Sequence, residues 1–504
     1  PHPGMEEVKY LQQPIGFTLR DASTSTSSGH GGGGLQVVIE NRYSFATLMT
    51  VSGSPEASGE VGRQRGVYGV RVRWEVKQMT VKSVQTALGS GTIQLPQHGL
   101  LPGDTTAVEW ESSLPTVASF LPHLQPGGGK LWLVITAELV DKTSWSPANH
   151  ILAWEQLPIP LPSPSPAPRL LSSAELPELT WERGICPMGM PVLHIKRGSD
   201  LQLRLNLDGS GFGMIECEGV RVVEAGPSLC FYRAPSDNDK GGPGGTSFAD
   251  RWRDAGLDRM VPVAPPKLDI KTPQPSILIV TAKWRMQPEG PPDELEKYAP
   301  GIEAHVEYTV YGSGDVVVDA QVTTDIALPP LPRVGFHMQL PRQQTQVTWH
   351  GRGPEECYPD RKAGSMIGIY SKTVSELHVP YIMPGECGGR ADVEWATVSR
   401  PEGGAGILVS TARDTSPMQM NVSQYRKETL EKARHDHELK KDAFIHLHMD
   451  ALHAGLGGDN SWTPATLAEY ILHAGSTTRF SVRLRPLAAN IGTDPDQVLS
   501  TAAV

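Results

Sequence analysis

Runs of β-branched and aromatic residues, separated by turn residues, limit the fold of this chain most strongly. The clearest are "VYGVRVRWEVK" (67–77), "KLWLVITAELV" (130–140), "SILIVTAKW" (276–284) and "HVEYTVYGSGDVVVDAQV" (305–322). In the last run Val306, Tyr308 and Val310 alternate with polar neighbours, as in a half-buried strand, and "YGSGD" (311–315) predicts a hairpin loop. Gly 52 and Pro 44 together form about a fifth of the 504 residues, and helices tolerate both poorly. We therefore predict an all-β protein.

Helix and linker signals divide this β pattern. The best helical segment is "SFADRWRDAGLDRMV" (247–261), where Ser247 followed by Asp250 resembles a capping box. The segment "LPIPLPSPSPAPRLL" (157–171) has prolines at near-alternate positions, which favour an extended spacer. We predict a β-sandwich over 15–158, a linker over 159–170, a larger antiparallel β domain over 171–488 and an unstructured tail over 489–504. "STSTSSGHGGGG" (23–34) predicts a mobile loop.

Charge and cysteine usage exclude several classes of protein. The formal net charge is −10 and the basic residues are scattered, which argues against a partner that is a nucleic acid or an anionic membrane. No run of about 18 apolar residues is present. The five cysteines form no C-x-x-C pair, so neither a zinc ribbon nor a disulfide framework is predicted. A reducing, cytoplasmic location is our expectation; because the sequence begins at Pro1, targeting cannot be read from it.

Neighbouring acids in "GRGPEECYPDR" (351–361) are candidate catalytic groups. Glu355, Glu356 and Asp360 invite comparison with a retaining glycosidase, which needs two carboxyl groups about 5.5 Å apart. The alternative is that these carboxylates cap backbone amides in turns or pair with Arg352 and Arg361. We favour the alternative, because Gly-Pro and Tyr-Pro are turn signals.

Two further motifs have a functional and a plain interpretation. His446, His448 and Asp450 in "IHLHMDALH" (445–453) would share one strand face, with His453 close by, and such side chains can bind zinc. We favour a polar face that is turned to solvent or into a polar pocket, and no metal. "KGGPGGTS" (240–247) lacks the Gly-Lys-Ser/Thr of a P-loop, and we interpret it as a flexible loop.

Four segments together resemble one known family. They are "FYRAPSDNDKG" (231–241), "WHGRGPEECYPDRKAGSMIGIY" (349–370), "VPYIMPGECGGRADVEW" (379–395) and "HMDALHAGLGGDNSWTPATLAEY" (448–470). In order and spacing they resemble the C-terminal domain of the large β-galactosidases of glycoside hydrolase family two. "ASGEV" (57–61) and "SPANHILAWEQ" (146–156) resemble the preceding immunoglobulin-like domain, and residues 1–14 resemble the end of the connection from the catalytic barrel. The implied fold is an immunoglobulin-like sandwich followed by a galactose-mutarotase-like super-sandwich.

The resemblance also implies what this chain lacks. In that family the nucleophile and general acid are glutamates on a (β/α)₈ barrel, which also holds magnesium and sodium. The barrel precedes the position of Pro1, so we assign no catalytic residue and no cofactor to this chain. We expect a fragment or separate subunit, inactive alone, of an oligomeric enzyme that hydrolyses terminal β-D-galactosides such as lactose. Its partners are then the sugar and a barrel, in the same chain or another.

The resemblance gives the stretch "GLGGDNSWTP" (455–464) a function. The family places a tryptophan of this loop at the mouth of the active site, and the matching residue is Trp462. Its indole would pack on the aglycone sugar. Asp459, Asn460 and Ser461 would brace the loop by local hydrogen bonds, and His453 and Asp450 also match the family and would support it.

Two positions mark where the match is partial, and one rival function stays open. Gly241 and Gly242 fall in the family's mobile loop, which is shorter in this chain and richer in Gly and Pro. Cys387 stands where the family commonly has Asn or Ser. The rival is a non-catalytic carbohydrate-binding or structural protein that reuses two β-sandwich domains. The Gly-Gly-Asp-Asn-Ser-Trp loop favours the enzyme, because a structural protein has no need for an exposed indole there.

Overall fold

The structure is a computed structural model. It describes residues 2–21, 35–50, 67–78, 86–109, 130–159, 176–242, 246–290, 300–401, 403–413, 415–458 and 466–488. The chain divides into two compact units, Pro1–Pro168 and Arg169–Val504. The predicted loop 23–34, nearly all of the predicted linker and the predicted tail lie outside the described residues. The exact domain boundaries stay predictions.

The first unit is a β-sandwich preceded by a helix. One sheet holds β1 (Ile15–Asp21), β2 (Leu35–Asn41) and β6 (Thr105–Glu109), in the order β1-β2-β6. The second holds β3 (Thr47–Thr50), β4 (Val67–Gln78), β5 (Thr86–Ile93), β7 (Leu131–Leu139) and β8 (Ile151–Ile159), in the order β3-β4-β7-β8 with β5 also on β4. Apolar side chains of both sheets, such as Ile39 and Trp74, form one core. Helix α1 (Pro3–Leu11), which sequence reasoning missed, is tied to β8 where the Tyr10 hydroxyl donates to Glu155 Oε2 at 2.7 Å.

The second unit contains two ten-stranded antiparallel sheets, named sheet A and sheet B. Sheet A consists of β9 (Thr180–Ile185), β10 (Pro191–Arg197), β11 (Leu201–Asn206), β12 (Phe212–Cys217), β13 (Val220–Val223), β14 (Ala225–Cys230), β20 (Arg333–Pro341), β23 (Arg390–Val393), β26 (Met418–Ser423) and β27 (Phe444–His453). Its strand order is β23-β26-β27-β20-β14-β12-β11-β10-β9, with β13 on β12.

Sheet B packs against sheet A. It consists of β15 (Met260–Pro262), β16 (Lys267–Gln274), β17 (Ile277–Pro288), β18 (Ile302–Tyr311), β19 (Val316–Thr324), β21 (Gln346–Gly353), β22 (Met366–Thr373), β24 (Trp395–Ser399), β25 (Gly406–Thr411) and β28 (Thr477–Leu487). Its order is β15-β17-β18-β19-β28-β25-β24-β21-β22, with β16 on β17. One apolar cluster takes side chains from both sheets, for example Phe336 of sheet A and Phe480 of sheet B, whose rings lie 4.9 Å apart.

Alternation along the strands gives sheet A two different faces. On β27, Ile445, Leu447 and Met449 belong to the apolar core, so His446 and His448 lie on the opposite face. This second face is nevertheless covered, because His446 is 3% exposed and His448 is 7% exposed. We call it the polar face of sheet A; it positions the groups described in the next section.

Short helices complete the second unit. They are α2 (Asp237–Lys240), α3 (Phe248–Asp254), α4 (Val374–Leu377) and α5 (Lys427–Lys432), with 3₁₀ turns at Leu257–Arg259, Asp436–Glu438 and Ala468–Tyr470. The helix predicted within 247–261 is α3, capped where the Ser247 hydroxyl accepts from the Asp250 amide. It ends at Asp254 because Gly256 follows with a left-handed φ of 65°. No helix in the described ranges has the length and apolarity needed to cross a bilayer.

The all-β prediction is confirmed. The four runs that led to it form β4, β7, β17 and the hairpin β18–β19, with a turn at 312–315. In β18 Val306, Tyr308 and Val310 are buried as predicted, while Thr309 is buried as well.

Two glycines beside β12 allow the packing of sheet A to be tested. Both have left-handed φ, +82° at Gly211 and +75° at Gly219, but a Cβ on Gly211 would lie 2.2 Å from the Pro227 carbonyl oxygen, whereas one on Gly219 meets nothing within 4 Å. Gly219→Ala should cost about 1–2 kcal/mol of unfolding free energy. Gly211→Ala should cost about 1–3 kcal/mol more, because a backbone carbonyl must move. Equal urea midpoints for the two variants would contradict this packing.

Candidate functional site

The four segments that carry the family resemblance meet in the second unit, at the point where the 455–464 loop begins. Arg233 and Asn238 come from the first segment, Asp360 from the second, Glu386 from the third and His453 from the fourth. Side chains of the first two segments bond directly to the backbone of residues 454–457. We call residues 454–458 the loop base. Residues 459–465, which include Asp459, Asn460, Ser461 and Trp462, lie outside the described residues.

A buried guanidinium joins the first segment to the loop base. Arg233 is 1% exposed, and its Nε and Nη2 donate to the two carboxylate oxygens of Asp239 at 3.1 and 2.8 Å. Its Nη1 donates to the Ala454 carbonyl at 2.8 Å and its Nη2 to the Gly455 carbonyl at 2.9 Å. Asp239 is positioned by the capping box that it forms with Ser236 at the start of α2. One side chain therefore holds both the helix before Gly241 and the loop base.

Two further side chains fix the backbone of the loop base. The amides of Leu456 and Gly457 both donate to Asp360 Oδ2, at 2.9 and 2.6 Å. Asn238 Nδ2 donates to the Leu456 carbonyl at 2.8 Å. A Cβ at Gly455 would lie 2.8 Å from the Asp360 carboxyl carbon and would displace this carboxylate from the amides that it caps. Asp360 is thus a structural carboxylate that caps amides, in agreement with the interpretation favoured from sequence.

Glu356 also has a structural environment. It is 3% exposed, accepts from the Gly388 amide at 2.6 Å, and forms short bonds with Arg361 and the Tyr381 hydroxyl. Gly388, whose amide donates to Glu356, has a left-handed φ of +76°, a conformation that glycine adopts readily. The predicted pairing with Arg361 is confirmed.

The other charged residues of the 351–361 motif have different ion-pair partners. Glu355 is half-exposed and lies 3.4 Å from Lys372 Nζ. Arg352 was predicted to pair with an acid of its own motif, and that was wrong, because its Nε binds Asp392 at 2.5 Å. Asp392, in the short strand β23, has a positive φ of 53°.

A second charged group lies on the polar face of sheet A, beside the loop base. Arg333 Nη2 lies 3.1 Å from Glu386 Oε1 and 3.3 Å from Asp450 Oδ2, and all three side chains are at least nine-tenths buried. Asn421 Nδ2 adds a hydrogen bond to Glu386 at 3.2 Å. Burial, opposed by Arg333 and reinforced by Glu386, raises the pKa of Asp450 to about 7.

His453 connects this charged group to the loop base. Its Nδ1 lies 2.7 Å from the Ala454 carbonyl, which fixes the proton on Nδ1 so that it can donate. Its ring packs on Tyr358 at 5.3 Å. Burial, with Arg233 and Arg333 nearby, holds the pKa of His453 well below its usual value. It is therefore a neutral hydrogen-bond donor at neutral pH.

His446 and His448 lie further along β27 and do not join Asp450 around one point. His446 Nδ1 lies 3.0 Å from His337 Nε2, and its Nε2 lies 2.8 Å from Asp442 Oδ2. His448 stacks on His337 at 4.6 Å. Of the two forms predicted for this strand face, the structure has the polar pocket and not the solvent-facing one. No group of three or more potential metal ligands occurs among the residues that the structure describes.

The remaining predicted positions are Gly241, Gly242 and Cys387. Gly241 ends α2, and Gly242 has φ of +111°, a conformation that suits glycine; residues 243–245 lie outside the described residues. Cys387 Sγ lies 3.5 Å from His378 Nδ1, whose Nε2 lies 2.7 Å from Asp436, an order that resembles a nucleophile triad. Burial and Glu356 raise the pKa of the Cys387 thiol, so it is protonated at neutral pH and is not an activated nucleophile.

Sequence reasoning missed the anchoring roles of Arg233, Asn238 and Asp239. Ser236 followed three residues later by Asp239 was a readable capping signal. An arginine between apolar residues, in "FYRAP" (231–235), was a second signal, because a buried arginine requires a partner.

Buried ionisable groups make stability depend on pH. The pKa values of His448 and His453 are lowered well below 6.5, so their contribution to stability is present above that pH and is lost as the pH falls. Asp450, with its pKa raised to about 7, acts oppositely and loses its contribution as the pH rises through about 7. The pKa values of His337 and His446 are lowered as well, so the histidines outweigh the one carboxyl, and each net proton corresponds to about 1.4 kcal/mol per pH unit.

We therefore expect the urea midpoint of the second unit to fall between pH 7 and pH 5, and to fall less in His448→Gln. A midpoint that rises over this range would contradict neutral, buried imidazoles at His448 and His453.

Two family models and several curated proteins match this chain. The family model described as β-galactosidase small chain matches residues 197–484, and the model described as β-galactosidase, domain 4, matches residues 37–160. A β-galactosidase of Vibrio vulnificus strain YJ016 is 30% identical over 496 residues, covering 96% of this chain and 41% of its own length. One of Pseudoalteromonas haloplanktis is 26% identical over 483 residues, covering 94% of this chain and 40% of its own length. The chain thus spans about two fifths of these relatives.

A galactose mutarotase-like protein of Clostridium acetobutylicum overlays 62% of this chain and 99% of its own, at 10% identity and a TM-score of 0.37. A TM-score this low carries no argument about this chain. The family match covers more than half of the chain and includes all the segments that anchor the loop base. The chain belongs to the β-galactosidase small-chain family.

Proposed function

We propose that this chain is the C-terminal part of a β-galactosidase that hydrolyses terminal non-reducing β-D-galactosides, such as lactose, with retention of configuration. The nucleophile and general acid are glutamates of a barrel outside this sequence, in the same polypeptide or a partner subunit. The observation that carries the proposal is the anchored loop base. Side chains of two separate segments, 231–241 and 349–370, hold residues 454–457, shortly before Asp459, Asn460 and Trp462.

The carboxylates of this chain support its role as a non-catalytic part. Glu356 and Asp360, the best acidic candidates by sequence, hold backbone amides in place, and Glu356 is nearly fully buried. Mg²⁺ and Na⁺ belong to the barrel in this proposal. The chain alone should therefore not hydrolyse a β-galactoside.

Trp462 is the residue by which the chain serves the reaction in this proposal. An indole face packs well on the C–H face of a sugar ring, and the bound ring is the aglycone, the glucose of lactose. Asp360 and Arg233 are positioning residues, because they act through the loop base and do not touch substrate. Gly241 and Gly242 supply the hinge of a neighbouring loop that begins on the same Arg233–Asp239 pair.

The first test is Trp462→Ala in the complete enzyme. Losing one stacked face should cost about 1–2 kcal/mol, so kcat/KM for lactose should fall roughly tenfold. Inhibition by glucose should weaken by a similar factor and inhibition by galactose much less. Trp145→Ala, which removes a 54% exposed indole in the first unit, is the control and should change neither. Equal weakening for both sugars, or none in a folded variant, would return Trp462 to a structural role and favour the non-catalytic alternative.

The second test separates Asp360 from general folding effects. Asp360→Ala frees the Leu456 and Gly457 amides and should lower kcat/KM for lactose in the same direction as Trp462→Ala. If Asp360 acts through Trp462, the double variant should be close to Trp462→Ala alone. Asp208→Ala, which removes a carboxylate that caps Ser210 in a hairpin turn, is the matched control. Fully additive losses would show that Asp360 does not position the tryptophan.

A further inference from the structure

A polar cavity of about 260 Å³ lies on the polar face of sheet A and is separate from the loop base. Its floor is formed by His337 and Gln339 of β20 and by His446 and His448 of β27. Its other wall is Arg426–Glu428, at the start of α5, in the segment that connects β26 to β27. The proposed galactosidase function uses none of these residues.

The floor contains an imidazole with an unmet hydrogen-bonding atom. His448 is 7% exposed, and its Nδ1 has no hydrogen-bond partner among the residues that the structure describes. Leaving a buried polar atom unpaired costs about 1–3 kcal/mol, so a ligand in the cavity towards which this ring can turn would offset that cost.

Charge and donors favour an anionic occupant. Lys427 lines the cavity and has no ion-pair partner in the described part of the chain, although its Nζ lies 5.4 Å from the Tyr232 ring. Arg426 also lines it and pairs with Asp442. Glu428 is the single acidic side chain in the lining, so donors outnumber acceptors there.

The geometry does not suit a metal ion. The His337 ring is nearly parallel to that of His446, at 9°, and to that of His448, at 26°. Both nitrogens of His446 already have partners, Asp442 and His337. His337 Nε2 is engaged in the same contact, so these rings do not converge on one ion.

We propose that this cavity binds a small oxyanion of the phosphate class, held by Lys427 and Arg426 from α5 and by His448 from β27. Gln339 supplies a further donor, and His337 Nδ1 donates only when that ring is protonated, because its Nε2 is engaged with His446.

Binding should take up a proton. Burial and the neighbouring cations hold the pKa values of His337 and His448 well below their usual range, so both rings are neutral without a ligand. The charged or titratable groups that face them are Arg426, Lys427 and Glu428 of α5, Asp442, His446, and Arg333 of β20. An anion in the cavity would favour an imidazolium, so affinity should rise as the pH falls from 7.5 to 6.0.

The experiment is calorimetric titration of the full chain with inorganic phosphate at pH 6.0 and 7.5, in two buffers of different ionisation enthalpy. We expect one site, tighter at pH 6.0, with proton uptake. His448→Gln and Lys427→Gln should each weaken binding on the order of tenfold. Lys271→Gln, which removes an exposed lysine paired with Asp269 on sheet B, is the control and should leave the Kd unchanged.

Two results would overturn the proposal. One is no phosphate-dependent heat in the wild type at either pH. The other is a Kd in Lys427→Gln equal to that of the wild type. The lysine is partly exposed, so its variant keeps the test valid even if His448→Gln fails to fold.

Discussion

The arrangement of the candidate site depends on one buried guanidinium. Arg233 is the side chain by which α2, Ala454 and Gly455 are held together, and water cannot replace its bonds at 1% exposure. Removing one partner of such a buried pair typically costs about 3–5 kcal/mol, because the other charge stays buried and unpaired. Arg233 binds Asp239 on one side and the Ala454 and Gly455 carbonyls on the other. A movement of one of these two segments would therefore displace the other segment. The loop with Gly241 and the loop with Trp462 therefore begin from one fixed point.

The polar face of sheet A explains how so many charges are buried together. A strand that faces the core with every second residue must place the rest on its other face, and in β20, β26 and β27 that face is also covered. The covered groups then need partners from within the protein. Near Asp450 the partner is Arg333, whereas near His446 the partners are Asp442 and another imidazole. One face thus carries two different polar sites.

Sequence reasoning succeeded where the signal is local. Alternation in 305–310 and the Gly-containing turn after it were enough to predict the β18–β19 hairpin, and Ser247 was enough to begin α3. The polar character of His446 and His448 on one strand face was equally local. Sequence reasoning could not predict the contacts that form the site, because these contacts join residues that are far apart in sequence. Asn238 binds Leu456 across 218 positions, and Asp360 binds the same residue across 96. The family resemblance identified these segments as a set, and only the fold shows which of them are in contact.

The most direct test of this anchoring is hydrogen–deuterium exchange in two stretches, 233–242 and 454–458, in wild type and in Arg233→Met. We predict that exchange accelerates in both stretches together in the variant. Exchange in these two stretches should not accelerate in Arg197→Met, which removes an arginine that pairs with Asp200 in a hairpin of sheet A. Acceleration in only one stretch, or in neither, would contradict the claim that a single buried arginine holds the base of the Trp462 loop.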